Sequence, residues 1–217
     1  MGPRASNPNI LIVEGHDDKH SVISLMAAHV NWPSNREEWP VHIDVAFGVE
    51  EILRPAYLTT HIKAPLVKSV GLMLDADDKP TSRYQRIRNA CIKIFPDLPE
   101  VLPARGVITE NQDGKKLGVW IMPDNASEGC LETFLKYLVP NVAEPVWKYA
   151  VEAVSVAKTL GAACQDVHLE KSNLYTWLAW QHPPGQQPGI ALTKKILDPH
   201  SAYATTFVGW FRGLYAV

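Results

Sequence analysis

Two short acidic clusters each follow an apolar segment of the chain. Glu14 follows the run at residues 9–13, and Asp75 and Asp77 follow the run at residues 66–74. Carboxylates crowded within a few ångströms repel one another, so either their pKa values rise or a hard cation neutralises them. Mg²⁺ takes oxygen ligands and keeps several waters, so two or three carboxylates suffice to bind it. The alternative for each acidic residue is a simple helix cap.

The apolar pattern around these clusters predicts the elements that would position them. Strands are predicted at residues 9–13, 42–47 and 66–74, and helices at about residues 18–30, 49–63 (bent at Pro55) and 82–95. Alternation of strand and helix implies an α/β fold with a mainly parallel sheet that helices flank on both faces. Because ligand sites in such sheets lie beyond the carboxyl ends of the strands, we expect Glu14 and Asp75 to meet at one edge.

The pattern changes after residue 100. An Asp-Gly pair at residues 113–114 lies between apolar stretches at residues 106–110 and 117–122, which is typical of a hairpin. Helices are predicted at residues 129–139, 146–160, 171–180 and 202–214, and a loop at residues 183–189. Six aromatic residues of the tail are predicted to anchor a core: Trp147, Trp177, Trp180, Phe207, Trp210 and Phe211. We therefore predict an α/β core over residues 1–140 and a helical C-terminal elaboration, packed on that core, over residues 141–217.

Composition narrows the functional class. The chain has 217 residues, 46% of them hydrophobic, and 21 Lys and Arg against 23 Asp and Glu give a net charge of −2. These values disfavour a disordered chain and a broadly cationic nucleic-acid binder. Three well-separated cysteines disfavour a disulfide framework or a zinc finger, and fit a reducing compartment. Neither a membrane-spanning run nor a secretion signal is recognisable, so a cytoplasmic location without membrane attachment is expected.

The acidic clusters resemble the signature of the Toprim domain. An apolar strand with Glu14-Gly15, and about sixty residues later an apolar strand with Asp75-Ala76-Asp77, match it over roughly residues 8–135. Topoisomerases, bacterial primases, small maturation nucleases and the overcoming-lysogenization-defect (OLD) nucleases share this domain. The resemblance implies that Glu14 transfers protons or binds metal, and that Asp75 and Asp77 bind Mg²⁺ or Mn²⁺.

The tail extends the resemblance. Its segments Trp177-Leu178-Ala179-Trp180 and Gly189-Ile190-Ala191 are similar to a stand-alone family of uncharacterised Toprim-like proteins related to the OLD nucleases.

Similarity to the OLD nucleases implies further site residues. These nucleases carry an aspartate one helical turn after the glutamate, and Asp18 stands at that spacing. For their second acidic pair this chain offers Asp124, Glu128 and Glu132 as metal ligands, at a spacing that departs from the expected Asp-x-Glu and leaves one metal or two open. Their late lysine corresponds in position to Lys194 or Lys195, for which the alternative is a solvated pair at a helix end.

One basic cluster adds to this expectation. Arg83, Arg86, Arg88 and Lys93 follow the Asp-x-Asp pair on a predicted helix. They could steer phosphate towards the acidic residues, or they could form an ordinary solvated helix face.

The expected function is therefore metal-dependent phosphodiester hydrolysis on DNA or RNA. A separate ATPase subunit is a further partner that similarity to OLD systems implies. One alternative is a non-catalytic module that binds metal, phosphate or a protein. Another is a phosphohydrolase of small nucleotides, for which a narrow, closed pocket over Asp75 is expected in place of an open basic groove.

Overall fold

A five-stranded sheet lies at the centre of the fold, in a computed structural model that describes residues 7–77 and 79–217. The strands are β1 (Asn9–Val13), β2 (His42–Val45), β3 (Ser69–Asp75), β4 (Val107–Glu110) and β5 (Lys116–Met122). Their order across the sheet is β2-β1-β3-β5-β4. The first four strands in this order are parallel, and β4 pairs with β5 as an antiparallel hairpin. The predicted α/β class with a mainly parallel sheet is confirmed.

Helices cover both faces of this sheet. They are α1 (His16–Ala27), α2 (Val49–Ile52), α3 (Pro55–Lys63), α4 (Pro80–Cys91), α5 (Leu131–Lys136), α6 (Glu144–Thr159), α7 (Leu169–Ala179), α8 (Pro188–Thr193) and α9 (Ala202–Tyr215). Short 3-10 turns occupy Arg36–Glu38, Asn141–Ala143 and Asp166–His168. Within the part of the chain that the structure describes, every helix is too short or too polar to cross a bilayer.

Alternation along the strands explains why both faces are covered. Leu11 and Val13 of β1 point into one core, together with α1 and the helices from α5 onward. Ile10 and Ile12 point into the opposite core, with α3 and α4. Successive side chains of a strand face opposite sides, so a continuous apolar run requires a partner layer on each side.

Several element boundaries differ from the sequence prediction. The helix predicted over residues 49–63 is two helices, because Pro55 begins α3 at a position where its missing N–H costs no hydrogen bond. Pro188 likewise begins α8, in a segment predicted to be a loop. Among the predicted aromatic anchors, Trp180 is 45% exposed and stacks on the ring of Tyr149, which is 62% exposed.

The last helix packs directly across the sheet. Gly71 of β3 and Gly118 of β5 are register partners, and a side chain at either position would collide with α9. The Tyr215 hydroxyl donates a hydrogen bond of 2.8 Å to the Ile10 carbonyl, and the Trp210 indole donates one of 3.0 Å to the Val107 carbonyl. Two small residues side by side thus let α9 approach the strands.

The division of the chain into an α/β core and a helical elaboration near residue 140 stays a prediction. Residues 1–6 of its first unit lie outside the described residues.

The strand order fixes which loops are neighbours. Because β3 lies between β1 and β5, the chain leaving β1 at Glu14, the end of β3 at Asp75 and the chain leaving β5 at Met122 all lie at one edge. This edge is the carboxyl end of the parallel strands, where α/β sheets bind ligands.

Candidate functional site

Glu14 and Asp75 meet at the carboxyl edge of the sheet. The Asp75 amide donates a hydrogen bond of 2.9 Å to Oε1 of Glu14, which joins the ends of β1 and β3. Burial raises the pKa of Glu14 above its ordinary value, although the hydrogen bond from Asp75 and the charge of Arg83 oppose this effect. The sequence-predicted pair is therefore brought together on adjacent strands.

Asp18 joins this pair from the first turn of α1. Its Oδ2 accepts a hydrogen bond of 2.8 Å from the Gly15 amide, so the side chain turns back towards the end of β1. The residue is only 8% exposed. Burial, followed by the negative charges of Glu14 and Glu132, raises the pKa of Asp18 to about 7. The helical spacing noted in the sequence thus places a third carboxylate at the same edge.

Asp75, at the end of β3, lies between the other carboxylates. Burial, and then the charges of Asp18, Glu14 and Glu132, raise its pKa well above the ordinary range. Its Oδ1 accepts a hydrogen bond of 3.0 Å from the Leu131 amide, at the start of α5. Asp75 therefore ties the sheet edge to α5 and lies among the other acidic side chains.

Glu132 is the late acidic residue whose charge reaches this cluster. It raises the pKa values of both Asp18 and Asp75, and its Oε2 accepts a hydrogen bond of 3.1 Å from the Cys130 thiol. The four carboxylates of Glu14, Asp18, Asp75 and Glu132 are called the acidic cluster below.

The structure places the other two late candidates differently. Asp124 binds its own turn, accepting hydrogen bonds of 2.7 Å from the Ser127 amide and 2.8 Å from the Ser127 hydroxyl. Glu128 is exposed. Neither the turn around Asp124 nor the exposed position of Glu128 brings these side chains into the acidic cluster.

Asp77 lies at the rim of the cluster. Its side chain is 64% exposed and forms an ion pair with Arg83. Its backbone pairs with Gly129 through hydrogen bonds of 3.0 and 2.9 Å, and its φ of +52° places it in the left-handed region. This backbone turns the carboxylate towards α4, although its charge still contributes to the raised pKa values of Glu14 and Asp75.

Arg83 is a structural part of the site. It is only 7% exposed, and its Nε donates a hydrogen bond of 2.8 Å to the Asp75 carbonyl. The solvated helix face considered from the sequence is therefore wrong for this residue. By contrast, Arg86 is 45% exposed and pairs with Glu50. Arg83 thus holds Asp77 and the end of β3 in place.

The lysine that contacts the acidic cluster is Lys171 of α7. Its Nζ lies 2.9 Å from Oδ2 of Asp17 and 3.6 Å from Oε1 of Glu132. Lys194 and Lys195, predicted from the sequence, are exposed at the end of α8, and Lys194 donates a hydrogen bond to Gln186. The packing of α7 against α5 brings Lys171 to the acidic cluster from a distant part of the chain. Its local sequence therefore does not identify it as a site residue.

The acidic cluster has the donor chemistry of a hard-cation site. Its donors are carboxylate oxygens, and three of its members each bind a backbone amide through one oxygen, while a carboxylate carries two. Across residues 7–77 and 79–217, however, no three or more Asp, Glu, His or Cys side chains form a ready-made metal-ligand group. Cation binding here therefore requires side-chain rotation within a backbone frame that is already set.

Two cavities lie near the cluster. One, of about 550 Å³, lies between α5, α6 and α7 and is lined by residues that include Lys136, Trp147 and Asn173. The other, of about 220 Å³, lies between α1 and α8 beside Asp17. Asp75 lines neither cavity, so neither is the closed pocket over Asp75 that a small-nucleotide phosphohydrolase would need.

Comparison with known proteins places the whole fold in one family. Comparison with curated proteins and with solved structures gave no match. A family model described as "Protein of unknown function (DUF3226)" matches residues 8–216, from the residue before β1 to the residue after α9. The match covers both the α/β core and the helical tail. The chain therefore belongs to the DUF3226 family of proteins of unknown function.

Proposed function

We propose that this protein is a Mg²⁺- or Mn²⁺-dependent nuclease with a Toprim-like fold. The observation that carries the proposal is the convergence of the acidic cluster at one sheet edge: the Asp75 amide binds Glu14, and burial together with neighbouring carboxylates raises the pKa values of Asp18 and Asp75. Perturbed carboxylates at the carboxyl edge of a parallel sheet are candidates for a functional site, because ligands bind at this edge. The placement of Glu14-Gly15 and Asp75-Ala76-Asp77 at the ends of adjacent strands is compatible with a Toprim-like sheet.

A divalent cation bound at the cluster would stabilise negative charge on the scissile phosphate and make a bound water acidic. Residues of the chain would hold the cation, transfer the proton and attract the phosphate. Asp18, Asp75 and Glu132 would hold the cation, because their mutual repulsion favours a positive partner. Glu14, with its pKa raised by burial and its orientation set by the Asp75 amide, is placed to accept or donate a proton. Lys171 adds a positive charge beside the cluster that would attract a phosphate.

The substrate we propose is nucleic acid, and a separate ATPase subunit is the protein partner that similarity to the OLD nucleases suggests. Neither of the two cavities described above is lined by Asp75, as a binding pocket for a small nucleotide would be. A non-catalytic module remains the second candidate, because the described residues form no ready-made ligand group.

A cleavage assay separates these possibilities. Purified protein is incubated with single- and double-stranded DNA and RNA, and with nucleoside triphosphates, in Mg²⁺, Mn²⁺ or EDTA. We expect metal-dependent cleavage of a polymer, and a loss of at least about a hundredfold in the Glu14→Gln variant, since removing a general acid or base typically costs that much. Glu100→Gln, which changes an exposed glutamate outside the cluster, is the matched control. Metal binding without cleavage of any substrate would favour the non-catalytic module.

A further inference from the structure

A stripe of exposed apolar side chains runs along α6 and onto the residues that flank it, since Val142 lies in the preceding 3-10 turn and Leu160 directly follows the helix. Val142, Val146, Tyr149, Val156 and Leu160 are exposed by 91, 43, 62, 49 and 82%. Ala153, which is partly exposed, fills the remaining position. These six residues, the α6 stripe, follow one another at intervals of four, three, four, three and four. That spacing is the seam of a coiled coil.

The stripe is separate from the face that α6 buries in its own chain. Trp147, Ala150 and Val154 are buried against the rest of the fold. At about 100° per residue, the centre of the α6 stripe lies roughly 120° around the helix from them. Trp180, stacked on Tyr149 with ring centroids 5.5 Å apart, widens the exposed apolar surface. The helix therefore has a second apolar face that the described part of the chain leaves open.

We propose that a second copy of this chain covers the α6 stripe, with the two α6 helices antiparallel about a twofold axis at the height of residue 151. A twofold interface must be self-complementary, since the same patch serves both protomers. The stripe meets this condition: Val142 lies as far before residue 151 as Leu160 lies after it. Val146 and Val156 are related in the same way, and so are Tyr149 and Ala153.

The size of the surface also suits a dimer. The exposed parts of the stripe and Trp180 amount to roughly 600 Å², the upper end of what a monomer leaves in one apolar patch and near the roughly 800 Å² each partner gives to a standard interface. The helix is already ordered by its buried face. Pairing therefore does not have to fold it, which removes much of the entropic cost that makes short isolated coiled coils weak.

The oligomeric state of the full chain tests the proposal. By sedimentation equilibrium at tens of micromolar we expect twice the 24.1 kDa chain mass. Val156→Glu should weaken the dimer by at least about a hundredfold, because each interface would bury two unpaired carboxylates. Val101→Glu, at an apolar position 75% exposed outside the stripe, should leave the dimer intact. Circular dichroism checks that both variants fold. A monomeric wild type, or a Val156→Glu protein that stays dimeric, would overturn the proposal.

Cysteine cross-linking tests the antiparallel direction. In the proposed arrangement Val146 faces Val156 of the partner, so oxidation should cross-link the Val146→Cys/Val156→Cys double variant but not Val146→Cys alone. A parallel arrangement would cross-link the single variant, and that result would overturn the proposed symmetry. Wild type oxidised in parallel accounts for Cys91, Cys130 and Cys164. Mass and cross-linking are measured without substrate, so failure here is distinguishable from failure of the proposed nuclease activity.

Antiparallel pairing has one further consequence. It brings the two copies of Glu152, beside the stripe at mid-height, close to each other across the axis, whereas parallel pairing places each beside Ala157. Glu152→Gln should therefore tighten the dimer about twofold or more at low salt. Unchanged or weaker association of this variant would contradict the antiparallel register.

Discussion

The metal-free protein should lose stability as pH rises from 5 to 8, and Asp18→Asn should remove much of that loss. Burial and neighbouring charges raise the pKa of Asp18 from 3.8 to about 7 in the folded state. Between these two values the folded chain holds a proton that the unfolded chain has released. The free energy of unfolding therefore falls as pH rises through this range, the opposite of the usual behaviour of a salt-bridged aspartate.

The size of the effect follows from the two pKa values. A gap of about three pH units corresponds to about 4 kcal/mol once Asp18 is fully ionised, and about 2.5 kcal/mol of that falls between pH 5 and pH 8. For a chain of this length, such a change moves the melting temperature by about 5–10 °C. The amide oxygen that Asp18→Asn introduces would still accept the Gly15 hydrogen bond without carrying a charge, so the cap is retained.

Thermal unfolding in EDTA across pH 4 to 9 provides the assay. Wild type should melt at progressively lower temperature above pH 5, and Asp18→Asn should melt higher than wild type at pH 8 and show a flatter profile. Asp113→Asn, an exposed aspartate in the β4–β5 turn, is the matched control and should follow wild type. Mg²⁺ should stabilise wild type at pH 8 and stabilise Asp18→Asn less. A wild-type profile that is flat or rises between pH 5 and 8 would refute the reasoning.

Two further predictions concern Lys171, beside the acidic cluster, and the packing of α9 against the sheet. Lys171→Met should tighten Mg²⁺ binding about threefold or more in calorimetric titrations, because it removes a cation 3.6 Å from Glu132, whereas Lys194→Met should leave it unchanged. Gly71→Ala should lower the free energy of unfolding by about 1–3 kcal/mol in urea, since the added methyl group meets Tyr215 and Leu11. Gly209→Ala, in open space on α9, should instead stabilise by about 0.5–1 kcal/mol; equal effects of the two glycine changes would contradict this packing.

Much of the sheet and one side of the acidic cluster are readable in the sequence. Continuous apolar runs predict strands buried on both faces, and the residues that follow adjacent parallel strands necessarily share an edge. This is why Glu14 and Asp75 are found together from their pattern alone. The spacing of Asp18 predicts its return to the same edge because it lies within one helical turn.

The other side of the cluster depends on packing that no local pattern encodes. Glu132 and Lys171 arrive on α5 and α7, whose positions follow from how the tail helices pack around Trp177 and Phe134. Similarity to the OLD nucleases suggests Glu132 as one of three late candidates, but the local sequence does not distinguish it from Asp124 or Glu128, and it does not mark Lys171 at all. Asp77 shows the converse: its motif is local, but a left-handed backbone and an ion pair with the buried Arg83 direct its carboxylate to the rim.

The hydrogen bonds of the acidic cluster indicate that its carboxylates serve a role that requires negative charge. Glu14, Asp18 and Asp75 each accept a backbone N–H through one carboxylate oxygen. A glutamine or asparagine at the same position has a carbonyl oxygen that would accept the same bond, without repulsion and without the cost of burying a charge. Structural capping alone would thus be served better by amides at all three positions. Carboxylates at all three sites, at a stability cost near neutral pH, are consistent with binding of a cation or transfer of a proton.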